Sequence, residues 1–224
     1  MSLIASRGHA LSLRGLLSAA LIAGLAAGLV AATLQQLFLV PLILGAELLE
    51  PVGHAHAMQA AGIERTVYSV LFTCLGACGF ALLLAGCYAL RGEVSWRRGL
   101  LWGLAGFASF ALAPALGLSP ELPGAQPADL LARQMWWIAT AMTTAVGLAC
   151  IAFPRPMVLK LLGVALIALP HLMGAPPVTH ADSALPADMV RAFALGSLAV
   201  SLVMWLILGP LTAALMQRYL APTD

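Results

Sequence analysis

Six stretches of this 224-residue chain contain no charged side chain, and each is long enough to cross a lipid bilayer as a helix. The hydrocarbon core of a bilayer is about 30 Å thick, and roughly 20 apolar residues in a helix span it. The stretches are continuously apolar, without the alternation of a membrane-spanning strand, so they predict helices. The sequence therefore predicts an all-α, polytopic membrane helix bundle, with spans near 15–40, 66–90, 99–118, 134–153, 157–174 and 191–216.

The composition excludes a water-soluble globular domain. Hydrophobic residues make up 62% of the chain and charged residues only 9%, which leaves too little polar surface to cover a soluble protein of this size. No linker, charge block or low-complexity tract interrupts the sequence, so we predict that residues 1–224 form a single integral membrane domain.

Two of the apolar stretches have alternative interpretations. The first follows Arg7 and Arg14, as the apolar region of a signal peptide would, but it continues far beyond the roughly 7 to 15 residues of such a region, which favours a retained helix. The fifth is short, contains Pro170 and is followed by Gly174, so it fits a tilted span, a broken helix or a re-entrant segment as well as an ordinary span.

The distribution of basic residues predicts the orientation of the chain. Short cytoplasmic loops retain an excess of arginine and lysine. With six crossings and a cytoplasmic amino terminus, eight of the eleven basic residues lie inside, and Arg65, Arg133 and Arg191 lie outside. We therefore predict about six transmembrane helices with both termini cytoplasmic.

Small residues recur at helical spacing in two of the predicted spans. In lipid, helices associate through close packing of small residues, because burial of apolar surface gives little driving force there. We predict that these stripes pack helices together within the chain, and contact with a partner subunit is the alternative. The residues are Ala20, Gly24, Gly28 and Ala32 in the first span and Gly99 and Gly103 in the third.

Acidic residues and histidines concentrate on the predicted outer side, which holds seven of nine acids and four of five histidines. Carboxylates and imidazoles bind borderline divalent ions such as cobalt, nickel and zinc, and a negative mouth raises the local concentration of cations. We therefore predict an outer vestibule that captures a divalent metal ion. Its candidate ligands are Glu47, Glu50, His54, His56, His171 and His180.

The same residues fit a second interpretation, as ordinary solvated side chains of outer loops. The spacing of Glu47, Glu50 and His54 would align them on one face of an extended first helix, but Pro51 argues against that extension. His171 differs, because an ionisable group at membrane depth usually faces the bundle interior or belongs to a site.

Three further polar residues are candidates for a translocation path. Gln35 and Gln36 lie near the outer end of the first predicted helix, and Glu121 lies just beyond the third. Amide side chains in a membrane either hydrogen-bond neighbouring helices or line a polar path. Cys74 and Cys78, which share a helix face, are interpreted as inert small hydrophobic residues rather than as a soft-metal pair.

Sequence motifs of enzymes are absent from the chain. It contains no GxxxxGK phosphate-binding loop, no HExxH, no GxSxG and no CxxC. We therefore predict that the protein is not an enzyme, holds no permanent cofactor and does not bind nucleic acid. Any energy for transport would come from an ion gradient, the membrane potential or another subunit.

Several blocks of the sequence resemble one known family. They read QQLFLVPLILGAELLE at 35–50, GIERT at 62–66, WRRGLLWGLAGFASFALAPALGLSPELPG at 96–124, ARQMWW at 132–137 and ALPHLMGAP at 168–176. With these blocks the chain resembles the CbtA family of proposed cobalt transporter subunits. That family is usually described with fewer spans than the sequence predicts here, which leaves the fifth segment and the carboxyl terminus open.

The resemblance implies uptake of cobalt(II) for cobalamin synthesis across the bacterial inner membrane. It also implies a small partner of the CbtB type, with one membrane helix and a histidine-rich stretch. Nickel(II) is the alternative ion, because the ligand preferences of the two metals overlap. The matching positions among the candidate residues are Gln35, Gln36, Glu47, Glu50, Glu121 and His171, whereas His54, His56 and His180 lie outside the resembling blocks.

Two functions from different classes follow. The first is the membrane subunit of a divalent metal ion uptake transporter, with the outer vestibule as the capture site. The second is a scaffold or regulatory subunit that transports nothing and holds a partner through the small-residue stripes.

Overall fold

The structure, a computed structural model, describes residues 13–49, 62–92, 95–123, 129–153, 156–177 and 185–220, and in these ranges it is helical apart from short turns. This confirms the predicted all-α fold. Six helices follow one another along the chain: α1 (Leu13–Glu47), α2 (Gly62–Arg91), α3 (residues 96–115), α4 (Leu130–Ala152), α5 (Met157–Met173) and α6 (Ala187–Leu220).

Four of the helices, α1, α2, α4 and α6, are long and apolar enough to cross a membrane. The apolar helix α5 has 17 residues, and at 1.5 Å per residue it is about 26 Å long, slightly less than the hydrocarbon thickness. By length and composition, these helices fit the predicted multi-pass membrane protein. The count of six spans and the cytoplasmic location of both termini stay predictions, and residues 1–12 and 221–224 lie outside the described ranges.

Neighbouring helices run in alternating directions, as residue pairs in contact show. Gly24 and Gly28 of α1 face Cys78 and Cys74 of α2, so higher numbers on one helix meet lower numbers on the other. The same reversal relates α3 to α6 and α4 to α5. One end of the bundle, here called the Glu47 end, therefore holds the ends of α1, α3 and α5 and the starts of α2, α4 and α6. The opposite end is called the Arg91 end.

The backbones of α1 and α2 touch along the first small-residue stripe. Ala20, Gly24, Gly28 and Ala32 are all buried. A Cβ atom added at Gly24 would lie 2.5 Å from the Cα atom of Cys78, and one at Gly28 would lie 2.7 Å from the Cα atom of Cys74. Cys74 and Cys78 are thus the small residues that the glycines face, which fits their interpretation as packing residues.

A second backbone contact joins α3 to α6. A Cβ atom at Gly99 would lie 2.7 Å from the carbonyl oxygen of Gly209, and Gly103 faces the backbone of Trp205. The hydroxyl of Tyr88 donates a hydrogen bond of 3.0 Å to the same Gly209 carbonyl, which ties α2 to this contact. The core lies where α1, α2 and α6 meet, with Trp205 only 1% exposed.

We expect Gly24→Ala to destabilise the bundle by about 1–3 kcal/mol, the usual cost of overpacking a closely packed contact. The added methyl group would meet the backbone of α2, which can yield only if the helices separate. Reversible unfolding in detergent or bicelles measures the change. The matched control is Gly79→Ala, because a Cβ atom at Gly79 meets nothing within 4 Å. Equal stability of the two variants would contradict the close contact.

Candidate functional site

Two clefts lie in the half of the bundle nearer the Glu47 end. The larger, called the Glu121 cleft, has a volume of about 650 Å³ and lies between α3, α4 and α6. The smaller, called the Gln36 cleft, has a volume of about 340 Å³ and lies between α1, α2 and α6. Ser197 and Ser201 of α6 line both clefts, so the two clefts border the same face of this helix.

The predicted path residues lie in these clefts. Gln35 and Gln36 line the smaller one together with Ser69, and Glu121 lines the larger one. The side-chain oxygen of Gln35 also accepts a hydrogen bond of 2.9 Å from the hydroxyl of Thr73 on α2. Gln35 therefore joins two helices and also lines a cleft, whereas from the sequence alone a helix-joining role and a path-lining role were alternatives.

Each cleft is lined by a widened segment of helix. Residues Gln35–Leu39 of α1 form a π-helix, in which the N–H of Val40 donates to the carbonyl of Gln35, five residues earlier. Residues Ala108–Leu112 of α3 repeat this arrangement before Ala113. Such π segments are rare and occur often at functional sites.

Proline accounts for the position of both π segments. Pro41 and Pro114 each lie two residues beyond the end of a segment. A proline has no N–H, so a carbonyl in the preceding turn loses its helical donor and is available to another partner. Sequence reasoning missed the π segments, and the recurring signal is a proline near the outer end of an apolar helix.

Glu47 is held by an arginine of the next helix. The guanidinium of Arg65 donates two hydrogen bonds to the carboxylate, one of 2.7 Å from Nη2 to Oε1 and one of 3.0 Å from Nη1 to Oε2. This bidentate geometry is the strong form of the interaction. The side chain of Glu47 is 18% exposed and that of Arg65 is 30% exposed. Glu47 is therefore not a free carboxylate in this conformation.

A second pair repeats the first at the larger cleft. Arg133 lies 2.8 Å from the carboxylate of Glu121, and both side chains line the Glu121 cleft. Arg65 and Arg133 are each the fourth residue of their helix. The two pairs carry no net charge, which weakens the negative potential that the sequence predicts for this end.

The six predicted metal ligands are only partly within the described residues. Glu50, His54, His56 and His180 lie outside them. The imidazole of His171 packs edge-on against the ring of Trp136, with 6.0 Å between ring centroids. Within the described ranges, no three residues among the histidines, cysteines and acids are placed to hold one metal ion. The outer vestibule stays a prediction.

Aromatic rings bound the Glu121 cleft on the side that faces the Arg91 end. Phe110, which lines the cleft, stacks on Trp205 with an interplanar angle of 7° and a centroid distance of 5.9 Å. Trp205 also contacts Phe80, at 4.9 Å between centroids. Toward the Arg91 end, the contact between Gly99 and Gly209 follows directly. On the side that faces the Arg91 end, the Glu121 cleft is thus bounded by packed aromatic side chains.

We expect Glu47→Gln to lower the free energy of unfolding by about 1 kcal/mol, because it leaves the Arg65 guanidinium without its carboxylate. Exchanging the two residues, with Glu47→Arg and Arg65→Glu together, restores most of the loss. Glu64→Gln is the control, since it removes the same charge from an exposed neighbouring position. Unfolding in detergent provides the measurement, and a swap no more stable than Glu47→Gln would count against the pair.

A comparison with known protein families gives one match over nearly the whole chain. The family described as probable cobalt transporter subunit (CbtA) matches residues 13–217. No curated protein and no solved structure gave a match. The match confirms the resemblance seen in the sequence blocks, and the family's description is that of a transporter subunit. The chain belongs to the CbtA family of probable cobalt transporter subunits.

Proposed function

We propose that this chain is the subunit through which cobalt(II) crosses the bacterial inner membrane on its way to cobalamin synthesis. The observation that supports it most is the pair of clefts that are lined by the candidate path residues Gln35, Gln36 and Glu121 and lie toward the same end of the bundle. Membership of the CbtA family supplies the class of cargo. No permanent cofactor is needed, because the metal ion is the substrate.

The dimensions of the clefts suit a hydrated ion. A water molecule occupies about 30 Å³ of liquid, so a cation with six waters takes roughly 200 Å³. The clefts, at about 340 and 650 Å³, exceed this volume. An ion that keeps its water avoids the large cost of entering a low-dielectric interior as a bare charge.

Neutral oxygen ligands in the clefts favour passage of the metal ion over its tight binding. Glu47 and Glu121 are paired with arginines, and the clefts also present amide and hydroxyl oxygens. Conduction requires binding that is strong enough for entry but weak enough for release. Nickel(II) would pass through the same ligands, so cobalt selectivity is assigned to the capture step and to the partner.

The proposed orientation places the Glu47 end outside and both termini in the cytoplasm. Arg91, Arg97 and Arg98 gather at the opposite end, as the excess of positive charge in cytoplasmic loops requires. The segments with Glu50, His54, His56 and His180 follow α1 or precede α6, so they join helices at the Glu47 end. We propose that these residues, with Glu47 and His171, form the vestibule that concentrates the ion.

A subunit acts with a partner, and we propose a small histidine-rich membrane protein of the CbtB type. Energy comes from an ion gradient, the membrane potential or that partner.

The scaffold alternative depends on stripes of small residues that are free to bind. In the structure Gly24 and Gly28 contact α2, and Gly99 and Gly103 contact α6, so neither stripe is available in this conformation.

We expect Gln36→Leu to slow cobalt entry about tenfold, equivalent to losing roughly 1.4 kcal/mol of stabilisation for the passing ion. Lipid vesicles that contain the chain with its partner measure the initial rate, with cobalt, nickel and zinc compared in parallel. The control is Thr33→Val on the same helix, which removes an exposed hydroxyl bonded to the Leu29 carbonyl. Vesicles in which the wild-type complex is intact but admits no cobalt would favour the scaffold.

The vestibule is tested separately from the path. We expect His54→Ala combined with His56→Ala to raise the cobalt concentration for half-maximal uptake severalfold, with the maximal rate unchanged, because capture affects local concentration and not passage. The control is His9→Ala, the histidine predicted on the cytoplasmic side. Unchanged concentration dependence in the double variant would remove both histidines from the capture site.

A further inference from the structure

Two serines of α6 occupy the boundary between the clefts. Ser197 and Ser201 are four residues apart, so they lie on one face of the helix, one turn from each other. Each of them lines both the Glu121 cleft and the Gln36 cleft, and each is partly buried. Among the residues that the structure describes, these two are the only polar side chains common to both clefts.

The hydroxyls of Ser197 and Ser201 lack the backbone hydrogen bond that four threonines in the helices make. Hydroxyl groups in helices commonly donate to the carbonyl one turn earlier. Thr33, Thr66, Thr140 and Thr143 all do so, with distances of 2.8 Å. Neither Ser197 nor Ser201 makes such a bond in the part of the chain that the structure describes. Both hydroxyls are therefore available to water or an ion in the clefts.

Segments of two other helices line the clefts on either side of the serines. On one side is the π segment of α1, whose Gln35 and Gln36 line the smaller cleft. On the other is the π segment of α3, of which Phe110 and Ala111 line the larger cleft. Each segment precedes a proline, which leaves a backbone carbonyl without its helical donor.

We propose that Ser197 and Ser201 form a binding site for the hydrated divalent cation at the junction of the two clefts, and that the two clefts are parts of one path. The proposal rests on the proposed function. The serine oxygens accept hydrogen bonds from the outward-facing O–H groups of the water shell of the ion, and no covalent bond is made. Neutral hydroxyls exchange readily with water, so the ion is passed on and is not trapped.

Cysteine substitution tests the site. Cys87→Ala and Cys150→Ala remove the less buried native thiols, whereas Cys74 and Cys78 are kept because they pack on Gly28 and Gly24. In this background Ser197→Cys and Ser201→Cys are made separately, and each chain is placed in vesicles with its partner. A cationic methanethiosulfonate, which forms a mixed disulfide only with water-accessible thiols, is then added before cobalt uptake is measured.

We expect both cysteines to react and the cobalt rate to fall by roughly tenfold, since a bulky positive group repels a cation in a confined path. The matched control is Ala199→Cys, which lies between the serines in sequence but on an exposed face of α6 that lines neither cleft. Its treatment leaves uptake unchanged. The background chain treated with the same reagent gives the contribution of Cys74 and Cys78.

A second pair of variants tests the hydroxyls themselves. Ser197→Ala with Ser201→Ala slows uptake, whereas Ser197→Thr with Ser201→Thr retains it, because threonine keeps the oxygen. Uptake that continues after both cysteines have reacted, or that survives the double alanine change, overturns the serine site and leaves the proposed function standing. Failure of the background chain and of the wild type to admit any cobalt overturns both.

Discussion

Direct contact between helix backbones at glycine is the interaction on which the rest of this bundle depends. These contacts run from the middle of the bundle toward the Arg91 end, where Gly99 meets Gly209 and Gly147 meets Gly163. Toward the Glu47 end the glycines meet side chains instead, as Gly196 meets Leu39 and Gly117 meets Trp136. Side chains hold helices further apart than backbone contacts do. The bundle is therefore tight at one end, and the clefts form at the other.

Two glutamates toward the Glu47 end of the bundle are paired with arginines. An isolated carboxylate in a membrane protein is costly, and an arginine partner with bidentate geometry offsets much of that cost. Glu47 has such a partner in Arg65, and Glu121, in the segment that follows α3, lies 2.8 Å from Arg133 near the start of α4. The pairs thus fix the helix ends beside the clefts without adding a net charge. A site that passes a divalent cation benefits from this, because a free carboxylate pair would hold the ion.

The sequence was most informative where periodicity and composition decide the outcome. Uncharged stretches predicted the helices, and Gly24 and Gly28 lie in the backbone contact with α2, at the spacing from which packing was inferred. Which charged side chains pair with each other was harder to predict from the sequence. Nothing in the spacing of Glu47 and Arg65, 18 residues apart, shows that they pair, because the pairing depends on where α1 ends and α2 begins. Ser197 was missed for the same reason, since a single hydroxyl in an apolar helix carries no signal until its neighbours are known.

The first four helices contain a structural correspondence that the sequence alone did not reveal. In α1 and α3 a π segment is followed by a proline and then by a glutamate, which lies within α1 in the first case and beyond the end of α3 in the second, and the next helix carries an arginine as its fourth residue. Each of the two helix pairs, α1 with α2 and α3 with α4, thus supplies one opened turn and one neutral ion pair. The two units stand on either side of α6, and each contributes one cleft wall. The two clefts share α6 as a wall, so small polar residues on that helix are all that the proposed continuous path between them requires. Ser197 and Ser201, one turn apart on α6, lie at this position.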